Sequence, residues 1–317
     1  MNLPLPIALS CGDPSGIGPE IIARHLATHP QDAQHIVPVG PQRWLDTLPC
    51  PGIAVGSADF VAEAGRPDAA GQRIALEAME RAAAGTLNGE FAGVVTAPVN
   101  KAGLQSIGYR FPGQTEFFAA RWGGNPVMAF VGEKMHVVLA TWHIPFRDVP
   151  EALSPQTMEN AVRAAAFLAE KFVDTKRLPR IGVCGLNPHA GEAGILGTEE
   201  RDCLDPMLDE LRKKFPGLSQ CIPADTIFCR HLRGEFDVVV GLYHDQALAP
   251  LKTLEFDSAV NVSLGLRHIR TSPDHGTAYD IAGKGLARPD SLGNAIRVAR
   301  KLCATQASPN PTIDSSR

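Results

Sequence analysis

The chain has 317 residues, 44% of them hydrophobic and 20% charged, with 30 Lys and Arg against 34 Asp and Glu for a formal charge of −4. That length makes about two domains and buries enough surface to fold without disulfide or metal staples. The acidic balance and 6% aromatic content exclude a polybasic nucleic-acid binder and a base-stacking platform as the default reading. Seven cysteines, odd in number and without a C-x-x-C, read as reduced thiols of a cytoplasmic protein. No apolar run approaches the ~20 residues of a membrane span. Leu5–Leu9 is too short for the core of a signal peptide, although Cys11 follows it.

In chain order, short β-rich runs fall at 6–10, 35–39, 93–96, 127–131, 136–140, 180–184, 237–242 and 258–264. Their near-continuous apolar character predicts strands covered on both faces. Helical periodicity falls between them. Residues 70–84 carry Ile74, Ala78 and Ala82 on one face. Ser154-Pro155 opens a helix with the stripe Met158, Val162, Ala165, Leu168 and Phe172. Residues 292–302 form another, its first turn weakened by Gly293. The alternation predicts an α/β fold with a mostly parallel sheet. The polar segment 304–317 is expected to fray.

Polar residues gather just past the strands: Gly12–Glu20, Ala97–Lys101, Thr141–His143, Gly185–Glu192 and Tyr243–Gln246. Ligands of open α/β sheets bind at the carboxyl ends of strands, so these five loops read as one site. His143, His189 and His244 each follow a strand. Their wide spacing makes no local motif, so only the fold can assemble them, as catalytic metal ligands or as three unrelated loop histidines. Gly12–Glu20 reads equally as an anion-binding helix start or a structural turn, and it is not a G-x-G-x-x-G fingerprint. The stretch 261–285, rich in Asn, Arg, His and Gly, reads as a long functional loop.

The segments GDPSGIGPE, TAPVNK, FPGQTEFFA, VVLATWHIPF, GLNPHAGE, PADTIF, YHDQALAPLK, VNVSLGL and IRTSPDHGTAYDIAGKG, in this order over nearly the whole chain, resemble the 4-hydroxythreonine-4-phosphate dehydrogenase family. The last is also similar to the cofactor loop of isocitrate and isopropylmalate dehydrogenases. The resemblance implies two α/β/α domains with a cleft between them, a discontinuous domain of 1–97 plus 258–317 and another of 98–257. It implies a homodimer with a shared active site. The implied reaction is NAD-dependent oxidation of 4-phosphooxy-L-threonine, followed by loss of carbon dioxide.

Residue by residue, the resemblance implies metal ligation by His143, His189 and His244, with zinc as the metal and cobalt or magnesium as alternatives. It implies substrate contacts from Gln114, Thr115, Lys252, Asn261 and Arg270. It implies cofactor contacts from His275, Gly276, Thr277, Ala278 and Asp280. Lys252 and Asp245 are the catalytic candidates, Asp245 as an orienting partner of His244 or a contact to the substrate amine. Gln114 stands where the family usually has His, and Gln cannot become cationic. Trp142 replaces a smaller Thr, without a physical account. Asp280 would accept hydrogen bonds from the adenosine ribose and repel the 2′-phosphate of NADP, or it would cap a helix beginning near Ile281. Two rivals accompany this reading: a dehydrogenase of threonate or erythronate 4-phosphate, and a metal-binding sensor without chemistry.

Overall fold

A computed structural model describes residues 5–173 and 177–304, so the tail beyond 304 lies outside the described residues. The strands are β1 (Ile7–Ser10), β2 (Ile36–Gly40), β3 (Ile53–Ala54), β4 (Gly93–Thr96), β5 (Gly124–Val131), β6 (His136–Leu139), β7 (Ile181–Cys184), β8 (Leu218–Ile222), β9 (Val238–Gly241), β10 (Val260–Leu266) and β11 (Ile269–Pro273). The helices are α1 (Gly18–Thr28), α2 (Gln42–Leu45), α3 (Ala69–Leu87), α4 (Lys101–Ser106), α5 (Gln114–Trp122), α6 (Val149–Ala152), α7 (Pro155–Phe172), α8 (Asp205–Arg212), α9 (Ala224–Leu232), α10 (His244–Glu255) and α11 (Asp290–Cys303). Two compact units result, 5–124 with 260–304, and 125–259.

In the first unit the strand order is β3-β2-β1-β4-β11-β10. All neighbours are parallel except the β10–β11 hairpin. The carboxyl ends of β1, β4 and β11 therefore lie side by side. The apolar face of α3 packs on β1, β2 and β4, and α11 packs on β11 and β4. Asp68 caps α3 by accepting from the Gly71 amide at 2.7 Å, and Asn100 caps α4 by accepting from the Gly103 amide at 3.0 Å. The core beneath α5 holds Met79, Phe91, Leu104, Phe117, Phe118 and Trp122. Burying each of these large side chains contributes roughly 2–3 kcal/mol.

In the second unit the order is β5-β6-β9-β7-β8. β6, β9 and β7 are parallel neighbours, and β5–β6 is an antiparallel hairpin. The buried Glu255 carboxylate at the end of α10 accepts from the amides of Glu133, Lys134 and Met135 at 2.7, 2.9 and 3.0 Å. That ties α10 to the β5–β6 turn. Ser154 caps α7 at 3.2 Å from the Thr157 amide, as the Ser-Pro pair predicts. All seven cysteines are free thiols. Among the described residues no helix is long and apolar enough to cross a membrane.

Mostly parallel α/β architecture is as expected, with two departures. The stretch 261–285 is not one loop: its first part is the buried hairpin β10–β11, joined at Arg267-His268. The polar run Arg270-Thr271-Ser272 concealed a central strand because Arg270 bonds to Thr96 and Asn261, and Thr271 to the Ala295 carbonyl, instead of filling an apolar layer. No helix begins at Ile281; residues 279–285 are turns, so Asp280 has no helix to cap. Gly293 does not break α11. A Cβ there would lie 3.0 Å from the His25 ring, so glycine permits the close approach of α1.

Candidate active site

Arg270 on β11 is the centre of a polar cluster in the first unit. It is 4% exposed. Its Nε and Nη2 donate to Thr96 Oγ1 at 3.1 and 2.7 Å, and Nη1 donates to Asn261 Oδ1 at 3.2 Å. No carboxylate among the described residues lies within ion-pair distance. Burial pulls its pKa down to about 10. Glu116 acts on it electrostatically without pairing with it, and a desolvated guanidinium with no direct partner is costly unless a ligand supplies one. Beside it on β10, Ser263 shares a hydrogen bond of 2.9 Å with Thr115 in the first turn of α5. Gln114 precedes Thr115, and its buried Oε1 has no partner among the described residues. Amide ends are assigned from such contacts, so a turned amide presents its N–H2 group at the same place. The aromatic packing of Phe117, Phe118 and Trp122, with Trp122 Nε1 donating to Ala83 O at 3.0 Å, fixes α5 in position.

The second unit gathers the strand-end histidines. His143 follows β6, His244 opens α10 after β9, and His189 follows β7. Their order along the sheet is thus 143, 244, 189. The rings of His143 and His244 lie 5.7 Å apart between centroids. The Asp245 carboxylate accepts from His244 Nδ1 at 2.7 Å, which leaves Nε2 unprotonated and able to ligate. Thr141 Oγ1 donates to Leu242 O at 2.7 Å. Gln246 Oε1 accepts from the Leu242 amide and its Nε2 donates to Gly185 O, both at 2.7 Å. One buried carboxamide therefore aligns the ends of β9 and β7.

His189 sits on an unusual backbone. Residues 189–193 all have positive φ, from 43° to 77°. Holding an L-residue there costs roughly 1–2 kcal/mol, so the surroundings must enforce it. Buried Glu200 does so by accepting from the amides of Leu186 and Asn187, each at 2.7 Å, and from Asn187 Nδ2 at 2.9 Å. His143 also has a positive φ of 50°. Among the described residues no three His, Cys, Asp or Glu side chains of one chain form a group able to hold a metal. His143 and His244 are brought together; His189 is not added to them. Two imidazoles, one oriented by a carboxylate, fit a divalent ion of the zinc, cobalt or nickel kind as a partial donor set.

The segment after β11 carries His275 to Asp280. His275 Nε2 is buried without a partner among the described residues. Gly276 faces open space. Asp280 is exposed and unpaired among the described residues. Ala278 has a φ of 44°. An orphaned ring nitrogen, an open glycine and a free carboxylate fit the binding of a dinucleotide along this segment.

Residues 19–299 match the family described as pyridoxal phosphate biosynthetic protein PdxA. The chain belongs to this family. A 4-hydroxythreonine-4-phosphate dehydrogenase of Paracoccus denitrificans is 39% identical over 94% of this chain and 98% of its own length. One of Synechocystis is 39% identical over 98% of both. The crystal structure of a 4-hydroxythreonine-4-phosphate dehydrogenase from Klebsiella pneumoniae superposes with a TM-score of 0.83 at 33% identity, covering 94% of this chain and 99% of that one. A terephthalate 1,2-cis-dihydrodiol dehydrogenase from Burkholderia xenovorans superposes with a TM-score of 0.71 at 27% identity, covering 94% and 98%. The PdxA chain is thus an α/β dehydrogenase that shares the fold of these solved dehydrogenases, and a dehydrogenase family implies a nicotinamide cofactor.

Sequence reasoning did not single out Thr96, Ser263, Glu200 or Gln246. Gln246 lay in the quoted YHDQ segment, a usable signal. Glu200 carried none, because its role exists only once the 185–192 turn folds back on it.

Proposed function

We propose that this PdxA protein oxidises 4-phosphooxy-L-threonine with NAD and releases carbon dioxide from the resulting β-keto acid, leaving 3-amino-2-oxopropyl phosphate. The observation that carries the reading is the buried Arg270 guanidinium, without an ion-pair partner among the described residues, beside Thr96, Thr115, Asn261 and Ser263, a site suited to an anion. Arg270 binds that anion through its planar fork, which Lys cannot reproduce. Thr115 and Gln114 donate to further oxygens of the same group. Lys252 on α10 supplies a cation for the other anionic end of the substrate. His143 and His244 hold a divalent metal, zinc or else cobalt or magnesium, and His189 of a second copy of the chain completes the set. Asp245 keeps the His244 ring in the tautomer that presents Nε2. NAD supplies the hydride acceptor, and the metal supplies Lewis acidity that eases loss of the alcohol proton and stabilises charge at the carbonyl oxygen. Asp280 receives the ribose hydroxyls and disfavours the 2′-phosphate of NADP.

Gln114 favours one second reading, a four-carbon sugar-acid 4-phosphate as substrate, because a neutral amide replaces a group able to carry charge. Parallel NADH-formation assays with 4-phosphooxy-L-threonine and with threonate and erythronate 4-phosphates test both. A clear preference for the amino substrate supports the first reading; a preference for the hydroxy acids replaces it with the second.

A further inference from the structure

The first loop of the chain, Gly12–Glu20, offers little to an external anion. The backbone N–H groups that would receive one are already used. The Ser15 amide donates to Asp13 Oδ1 at 2.9 Å, the Gly16 amide to Asp13 O at 3.0 Å, and the Ile17 amide to Thr277 O at 2.9 Å. The fully buried Asp13 carboxylate also places a negative charge at the start of α1. What the loop grips is the segment 275–283. Tyr279 donates its hydroxyl to Asp13 Oδ2 at 2.5 Å, across 266 residues of sequence. Gln72 Nε2 donates to the same oxygen at 2.5 Å. The Gly283 amide donates to Glu20 Oε2 at 2.9 Å. The Gly65 amide donates to Ser15 O at 2.8 Å, and a Cβ on Gly65 would meet Tyr279 O at 2.8 Å. A Cβ on Gly16 would lie 2.9 Å from Thr277 O, so glycine is required for this contact.

We infer that Asp13, with Gln72 behind it and Tyr279 in front, is a positioning latch for the 275–283 segment, setting the affinity for the nicotinamide cofactor without touching the reacting atoms. This rests on the cofactor role proposed for that segment. The Asp13 side chain has all its strong bonds inside the protein, so it contributes by shape. Tyr279 adjoins Asp280, and a shift of one moves the other. An unlatched segment must be ordered when the cofactor binds, and that ordering weakens binding.

The test uses Tyr279→Phe, which removes one hydroxyl, beside Asp13→Asn and Asp280→Ala. Cofactor affinity is measured by titrating NAD and NADH into enzyme without substrate. Amide hydrogen exchange of residues 275–285 is followed in parallel. The latch predicts a Kd for the cofactor raised by on the order of tenfold in Tyr279→Phe. It predicts faster exchange in that segment, unchanged substrate KM, and little change in kcat at saturating cofactor. The double variant Asp13→Asn/Tyr279→Phe should be little worse than Asp13→Asn alone, because that change already weakens the bond from Tyr279 together with the one from Gln72. Unchanged cofactor affinity in Tyr279→Phe overturns the latch. If Asp280→Ala then still weakens cofactor binding, the latch alone is wrong; if neither variant moves it, the cofactor assignment fails and takes the latch with it.

Discussion

Arg270 sets function against stability more sharply than any other side chain. Its charge is desolvated and has no ion-pair partner among the described residues, only the weaker field of Glu116, so the folded protein bears a cost that a bound anion relieves. Arg270→Met is therefore expected to leave the melting temperature unchanged or raised, while the KM for the phosphorylated substrate rises by at least about a hundredfold, the loss of a charge-assisted, two-point contact. Calorimetry and steady-state kinetics on one preparation check both halves; a strongly destabilised variant with normal KM would contradict the assignment. His189→Ala should remove most metal and most turnover from a folded protein, measured by metal analysis and circular dichroism. Asp280 is exposed, unpaired among the described residues and without a helix to cap. Asp280→Lys or Asp280→Ala should thus narrow the NAD over NADP preference by on the order of tenfold, about 1.4 kcal/mol, with no loss of stability. Equal use of both cofactors by the unaltered enzyme would remove that role.

Helices and strands were legible where one local signal sufficed. Ser154-Pro155 announces α7, and GVVT announces β4, because capping and apolar runs are local. β11 was not legible: Arg270, Thr271 and Ser272 are each buried against partners distant in sequence, Thr96 and Ala295 among them. β8 escaped for the opposite reason, as an edge strand with only Leu218 and Ile222 turned inward. The three histidine loops were recognisable as strand ends, but Glu200 and Gln246, which hold them, were not. His231 is a comparable hidden element. It bridges the Phe236 carbonyl, through Nδ1 at 2.8 Å, and the His136 amide, through Nε2 at 3.1 Å. Burial lowers its pKa. Since the unfolded chain takes up a proton near pH ~6.5 and the folded one does not, the stability it contributes is full above that pH and declines as the pH falls through it. Urea unfolding at pH 7.5 and 5.5 should show a larger loss in the unaltered protein than in His231→Gln.

At the scale of the molecule, one chain brings only His143 and His244 together among the described residues, and the proposed reading takes the third histidine from a second copy. Mixing His189→Ala with His244→Ala subunits tests this. If His189 crosses between copies, a mixed dimer keeps one intact site, and random pairing restores roughly a quarter of full activity. If all three ligands belong to one chain, the mixture stays dead. The central claim, a metal-dependent oxidative decarboxylation of a phosphorylated hydroxy acid, is tested most directly by NADH formation from 4-phosphooxy-L-threonine before and after chelation, with carbon dioxide measured alongside. The account predicts NADH and carbon dioxide in equal amounts, abolished by the chelator and restored by a divalent metal. NADH formation that persists at full rate in the chelated enzyme, or none from this substrate with metal present, would contradict it.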